Sequence, residues 1–209
     1  MVAMNAAWRA KDAHRAMRLL LEELTHRVAG EFSAAIGTLS TAAALAQTDE
    51  AKSALATVQT RLENFARVHR ALQVPEFRTT VDGCLYLREL CGAISLSKLE
   101  YRGIELEVLD GMCAIDSEQC WRLGMIVAEL VAIAAARSLA SSPARISVAI
   151  SCRGSLIGCQ VQDNGIAQDV ENRGRRIVDA LVQELHGAIE QHQRTDGCVA
   201  TVIFPAACV

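Results

Sequence analysis

The chain has 209 residues, 51% hydrophobic and 22% charged, with a net charge of −3 and an isoelectric point near 6.0. This composition indicates a globular protein of one or two modest domains, and it argues against a nucleic-acid partner or a membrane-surface partner. Charges interrupt the segment 1–18 before a signal-peptide core can form, and the apolar run 125–136 is too short to span a bilayer. We therefore expect a cytoplasmic protein.

Two helical segments open the chain. Apolar residues recur at helical spacing from about residue 8 to 46 and again from 55 to 72. In the polar break between them Thr48 or Asp49 can cap the second helix, and Pro75 ends it. Two long helices joined by a few residues form an αα-hairpin. Because each helix carries one apolar stripe, we expect a dimeric four-helix bundle that buries both.

The remainder of the chain has the pattern of an α/β domain. Helices are predicted over 82–103, from Ser117 as cap to about Leu139, and over 175–187, where Gly187 ends the helix. Short strands with hairpin signals are predicted over 104–109, 113–116, 145–152, 155–162, 188–193 and 198–205. The sequence thus predicts a helical hairpin over 1–75. Over 76–209 it predicts an α/β sandwich with a mixed, mostly antiparallel sheet and helices on one face.

Eight cysteines are spread along the second domain, and no two form a C-x-x-C pair. Without a secretory signal a disulfide framework is not expected, and metal sites need closer ligand pairs. We therefore expect the cysteines to be reduced and to pack as small hydrophobic residues.

His26 lies on the polar face of the first helix. It is two positions from both Leu24 and Val28, and a helix turns about 100° per residue, so His26 projects about 160° away from the apolar stripe. A neutral imidazole nitrogen can attack a phosphoryl group near pH 7. His69 differs, since it lies on the apolar stripe of the second helix and is predicted to be partly buried.

The neighbours of His26 have two interpretations. Ala29 and Gly30 remove side-chain bulk where the active site of a partner would approach, and Arg27 supplies a cation for phosphate oxygens. Alternatively, Gly30 allows close helix packing and Arg27 is a solvated surface charge. The residues alone do not choose between the two.

The segments "LLEELTHRVAGEFSAAIGTLS" and "ALATVQTRLENFARVHRAL" together resemble the phosphoacceptor hairpin of sensor histidine kinases of the H-R-V type. The rest of the chain resembles the ATPase half of these kinases, the Bergerat fold, with "LGMIVAELV", "VQDNG" and "ATVIFP" in the order of the family. The resemblance implies that His26 is the phosphoacceptor.

The chain departs from this family first in the metal motif. Where the family has N-E-L-x-x-N-A, this chain has "AELVAIA", so that Ala128 and Ile133 stand in place of the two asparagines. Magnesium requires oxygen ligands, and isoleucine supplies none. Glu129 is retained, but it has no metal-bound nucleotide on which to act.

Two further parts of the nucleotide site also depart from the family. Asp163 and Gly165 match the adenine-binding motif, but Ala167 replaces its second glycine, and Gly174 is what remains of the glycine-rich motif. Six residues, 166–171, separate the two motifs, which is too few for the mobile lid of such kinases. Three parts of the site are altered together, which predicts that ATP binding is lost.

A chain that combines an acceptor histidine with a damaged ATP site resembles the histidine phosphotransferases of the ChpT type. These proteins are dimers that move a phosphoryl group between receiver-domain aspartates. The resemblance implies that His26 carries the phosphoryl group and that Arg27, Ala29 and Gly30 contact the partner or the phosphate. The vestigial nucleotide site would comprise Glu129, Ile133, Asp163, Gly165 and Gly174. We expect no cofactor and no metal site, because the receiver supplies Mg²⁺. The expected partners are response regulator receiver domains and a second copy of the chain, with no nucleic acid and no membrane.

Two alternatives remain open at this point. The chain could be an autophosphorylating histidine kinase with an atypical ATP site. It could also be a non-catalytic pseudokinase that docks a response regulator while His26 stays inert.

Overall fold

The structure is a computed structural model. It describes residues 2–75, 79–137, 143–165, 172–194 and 196–207. The chain divides into two compact units, Met1–Gln73 and Val74–Val209.

The first unit is an antiparallel hairpin of α1 (Val2–Leu45) and α2 (Asp49–Ala71). Of the two candidate caps for α2, Thr48 is the residue that caps it, because its hydroxyl accepts a hydrogen bond from the backbone N–H of Ala51 at 3.2 Å. The helix ends at Ala71, before Pro75, as the sequence predicts.

Side-chain contacts give the register of the hairpin. The ring of Phe32 lies 6.0 Å from the ring of His69, and the hydroxyl of Ser40 donates a hydrogen bond to Gln59 at 3.3 Å. This contact confirms the predicted partial burial of His69. With this register the end of α2 lies opposite the turn of α1 that contains Gly30, so α1 continues past α2 toward its own N-terminus.

The hairpin of a single copy leaves large apolar side chains uncovered. Their exposed fractions lie between 38% and 72%, and they are Leu19, Leu20, Leu24, Val28, Leu45 and Val58. By length and composition alone, Glu23–Leu45 could cross a membrane, and so could Ser117–Arg137, which is half buried. Buried core helices and signal sequences share this length and composition, so these two helices are only weak evidence for a membrane span.

The second unit contains two sheets and three helices within its described residues. A short antiparallel pair joins β1 (Thr80–Asp82) to β3 (Ala114–Asp116). The main sheet consists of β2 (Ile104–Val108), β4 (Ala144–Arg153), β5 (Leu156–Asp163), β6 (Ala188–Arg194) and β7 (Gly197–Pro205). Its strand order is β2-β4-β5-β7-β6, and only the β2–β4 pair is parallel. The predicted fold class, a helical hairpin followed by an α/β domain with a mixed, mostly antiparallel sheet, is confirmed.

The helices of this unit are α3 (Gly83–Ile94), α4 (Ser117–Arg137) and α5 (Asn172–Glu184). One π-helical turn, Ser95–Leu99, and one 3₁₀ turn, Glu100–Arg102, extend α3 toward β2. Alternate side chains of the central strands are buried, as expected when one face of a sheet is covered by helices, and they are Ile146, Val148, Ile150, Ile157, Cys159 and Val161.

Two predicted helix ends are wrong in detail. Ser117 does not cap α4; the carboxylate of Asp116 does, by accepting the backbone N–H groups of Glu118 and Gln119 at 3.0 and 3.2 Å. The Ser117 hydroxyl instead accepts the N–H of Thr79 at 3.1 Å. The predicted end of α4 at Leu139 lies outside the described residues.

The end of α5 also differs from the prediction. The helix ends at Glu184, and His186 adopts the left-handed backbone conformation with φ of 53°. Gly187 is required for a different reason, because a Cβ there would lie 2.6 Å from the carbonyl oxygen of Ile203 in β7.

The cysteine prediction is wrong for one pair. Cys113, in the connection from β2 to β3, forms a disulfide with Cys152 of β4, 39 residues away in sequence. The other described cysteines are free and buried, as predicted, and they are Cys84, Cys91, Cys120, Cys159 and Cys198. Burial raises the pKa of the Cys91 and Cys120 thiols to about 12, so both remain protonated at neutral pH.

Candidate functional site

His26 is exposed on the polar face of α1, as helical periodicity predicts. The next residue, Arg27, forms an ion pair with Glu23 one turn earlier at 3.5 Å, and both side chains are about two thirds exposed (68% and 63%). Exposed pairs of this kind are worth about 1 kcal/mol or less, so Arg27 can leave Glu23 for another anion at small cost.

The space above Gly30 is open. A Cβ built on Gly30 has no other atom within 4 Å, apart from its own helix backbone and chain neighbours. Within one copy of the hairpin, Gly30 therefore serves no close helix packing. Ala29 is half-buried, so it offers less surface to a partner than Gly30 does.

Three residues of the predicted vestigial nucleotide site lie together where α5 begins on α4. A Cβ on Gly174 would lie 2.9 Å from Oε2 of Glu129 and 3.5 Å from Cδ1 of Ile133. The first turn of α5 thus rests directly on the face of α4 that carries the altered metal motif.

The other two residues of the vestigial site lie where β5 ends. The side chain of Asp163 is 1% exposed; its Oδ2 accepts a hydrogen bond from the guanidinium of Arg137 at 2.6 Å, and its Oδ1 accepts the N–H of Gly165 at 2.9 Å. A Cβ on Gly165 would lie 2.7 Å from the backbone carbonyl carbon of Arg137, so the last turn of α4 covers this turn closely. Ala167 lies outside the described residues.

Neighbouring residues hold Asp163 and its turn in place. Asn164 accepts the N–H of Arg145 at 2.9 Å and donates to the carbonyl of Pro143 at 2.7 Å. A Cβ on Gly197 would overlap the carbonyl oxygen of Asp163, so only glycine fits there. The carboxylate is therefore positioned by a rigid turn.

Arg137 is not among the residues that the sequence predicts for the site. The available signal was a lone cation in the last turn of a helix whose preceding residues, 130–136, are all apolar. A cation in the last turn of a helix also interacts favourably with the helix dipole. The position of Arg137 therefore gave no reason to expect a contact with Asp163. Among the residues that the structure describes, no three His, Cys, Asp or Glu side chains are grouped so as to hold a metal ion.

Residues 23–98 match the HisKA_2 family model, described as histidine kinase. No curated protein matches the chain. The matched span begins just before His26 and includes both the rest of the hairpin and α3.

Several solved histidine kinases share the fold at low sequence identity. The histidine kinase domain of the Erythrobacter litoralis blue-light activated histidine kinase has 17% identity and a TM-score of 0.56, over 82% of this chain and 94% of that one. The Acinetobacter baumannii histidine kinase AdeS has 15% identity and a TM-score of 0.53, over 78% and 87%. The catalytic domain of the histidine kinase ThkA has 15% identity and a TM-score of 0.51, over 62% and 97%.

The chain spans 60% of the longer Erythrobacter litoralis kinase chain. Taken together, the family match and the shared fold give this chain a sensor histidine kinase-like core.

Proposed function

We propose that the chain is a histidine phosphotransferase, in which His26 accepts a phosphoryl group from one receiver-domain aspartate and passes it to another without using ATP. The observation that carries this proposal is a difference in exposure between His26 and the residues of the altered nucleotide site. His26 is exposed beside the open space at Gly30, whereas Glu129 and Asp163 are in contact with other parts of their own domain.

The transfer requires little from this chain beyond a placed nucleophile. A ring nitrogen of neutral His26 attacks the phosphorus; the new P–N bond forms as the P–O bond to the donor aspartate breaks, and the aspartate leaves as a carboxylate. The second transfer runs the same step in reverse toward a new aspartate. Phosphoryl transfer depends mainly on positioning and on neutralising the oxygens, and the receiver, with its Mg²⁺, would supply most of the charge.

Arg27 and Gly30 have distinct roles in the proposal. The exposed guanidinium of Arg27 turns from Glu23 to the phosphoryl oxygens, where a charge-assisted hydrogen bond is stronger than a surface ion pair. The open space at Gly30 admits the surface of the receiver to within reach of His26.

The altered nucleotide site supports transfer without ATP. Ile133 takes the place of the oxygen ligand that Mg²⁺ would need, and the start of α5 at Gly174 lies against Glu129. The carboxylate of Asp163 already has two donors. A nucleotide would have to displace contacts at both positions.

A homodimer completes the proposal. One row of α1 residues is partly buried, and it consists of Thr25, Ala29, Phe32, Ile36, Leu39 and Ala43. Leu24, Val28 and Leu45 lie beside this row and are exposed, as is Val58 on α2. Burying a side chain of this size contributes about 1.5–3 kcal/mol, so pairing two hairpins along this face would stabilise a four-helix bundle.

The test is incubation of the chain with phosphorylated receiver domains from the same genome, followed by detection of acid-labile phosphate on the chain. We expect label on the wild-type chain and on His192→Ala, an exposed histidine far along the sequence, and none on His26→Ala.

Two results would contradict the proposal in different ways. Label that appears with Mg-ATP alone would indicate an autophosphorylating kinase. Binding of receivers with no label from any of them would indicate a pseudokinase.

A further inference from the structure

The Arg137–Asp163 ion pair is the most buried described ion pair in the second unit. The side chains are 12% and 1% exposed, compared with 59% and 66% for the Arg145–Glu105 pair on the same sheet. Of the two oxygens of Asp163, one accepts from the guanidinium at 2.6 Å and the other from the backbone N–H of Gly165 at 2.9 Å. Each oxygen of the carboxylate is therefore bound by a group of its own domain.

The group that Arg137 presents to Asp163 resembles the amine-bearing edge of a nucleobase. Both are planar and donate N–H groups to a carboxylate, but the guanidinium is charged and its hydrogen bonds are correspondingly stronger. A neutral base that displaced Arg137 would leave a cation buried without its partner, which is strongly unfavourable.

Backbone packing keeps Arg137 in this position. The last turn of α4 lies so close to Gly165 that a Cβ there would be 2.7 Å from the carbonyl carbon and 2.8 Å from the Cβ of Arg137. The guanidinium therefore reaches Asp163 from a fixed point rather than from a mobile surface position.

We propose that Arg137 is a built-in ligand of Asp163 and a specificity-determining residue, which excludes amine-bearing bases from this carboxylate and so restricts the chain to phosphoryl donors other than ATP. The inference rests on the proposed function in one respect only, namely that the phosphoryl donor that remains is a phosphorylated receiver. Its own test needs neither a receiver nor His26. The two can therefore fail separately.

The first experiment is chemical rescue of Arg137→Ala. Ethylguanidinium at low millimolar concentration should raise the melting temperature of this variant by several degrees, because it refills the space beside Asp163. Ethylammonium should have a smaller effect, and the wild-type chain should not respond. Arg145→Ala is the matched control, since it removes an exposed arginine from an ion pair on the same sheet.

The second experiment uses adenosine as the probe, observed through the backbone amide resonance of Gly165. We expect a shift in Arg137→Ala and none in the wild-type chain. If Arg137→Ala does not fold without ethylguanidinium, recovery of its fold on addition of ethylguanidinium takes the place of the rise in melting temperature. Arg137→Gln provides a second variant, which keeps an N–H donor without the charge and should gain less from ethylguanidinium.

Either of two outcomes would overturn the inference. One is a response of Arg137→Ala to ethylguanidinium no larger than that of Arg145→Ala. The other is an equal response of the wild-type chain and Arg137→Ala to adenosine, whether both shift or neither does.

Discussion

The face of α1 that carries His26 and the face of α4 that carries Glu129 differ in what lies against them. Around His26 the structure leaves open space at Gly30, and the nearest ion pair is a weak, exposed one. Around Glu129 the start of α5 is in contact, and at the end of α4 Arg137 is bound to Asp163. His26 is therefore accessible, whereas the side chains of Glu129 and Asp163 are in contact with other residues of their own domain.

The largest expected effect comes from His26→Ala. Because this side chain is exposed and lies outside the apolar stripe, its removal should change the free energy of unfolding by about 0.5 kcal/mol or less. Transfer of label from a phosphorylated receiver should nevertheless be abolished, as measured by acid-labile phosphate on the chain. Persistent label on His26→Ala would place the phosphoryl group on another residue.

The next largest expected effect is on the stability that the buried Arg137–Asp163 pair gives to the second unit. Asp163→Asn leaves the buried guanidinium of Arg137 without its counter-charge, which should cost about 3–5 kcal/mol in urea denaturation. Glu105→Gln, the matched change in the exposed pair with Arg145, should cost about 1 kcal/mol or less. Equal losses for the two variants would mean that burial does not distinguish the pairs.

Gly30→Leu tests whether a receiver approaches His26 over Gly30. The substitution favours the helix by about 1 kcal/mol, and the Cβ that it adds has no atom within 4 Å apart from its own helix backbone and chain neighbours, so the hairpin should be at least as stable. Transfer should slow by about tenfold or more, since a misplaced phosphoryl group loses the benefit of orientation.

The control for Gly30→Leu is Ala44→Leu. This residue is exposed on the same face as His26 but 18 residues, about 27 Å, along the helix. The Ala44→Leu variant should accept label from a phosphorylated receiver at the wild-type rate. An unchanged rate for Gly30→Leu would show that the receiver does not approach over this residue.

Arg27→Ala should have the smallest effect. It removes an exposed cation whose present partner, Glu23, holds it weakly, so stability should change little. The transfer rate should fall by about tenfold or less, corresponding to about 1.4 kcal/mol of lost stabilisation. Arg27→Lys should recover part of the rate, and a variant as fast as wild type would exclude Arg27 from contact with the phosphoryl group.

Much of the fold could be predicted because it depends on short-range patterns. The hairpin follows from apolar spacing on either side of a polar break, and the exposure of His26 follows from its angle to Leu24 and Val28. The strands could be placed because their residues alternate between a buried face and an open one.

Helix ends were less predictable. Asp116 rather than Ser117 caps α4, and a histidine rather than a glycine takes the left-handed position after α5. Adjacent residues with similar capping ability compete at such ends, and contacts such as that of Ser117 with Thr79 decide between them.

By itself the sequence determined the order of helices and strands and the polar face that bears His26, and it predicted that Ala128 and Ile133 replace metal-binding asparagines. Only the tertiary structure decided that Cys113 meets Cys152, that Gly174 rests on Glu129, and that Arg137 is bound to Asp163. The physical reason is that periodicity describes neighbours within one helix or strand. These three contacts join residues that are distant in sequence, and they exist only because the packing of the domain brings their different elements together.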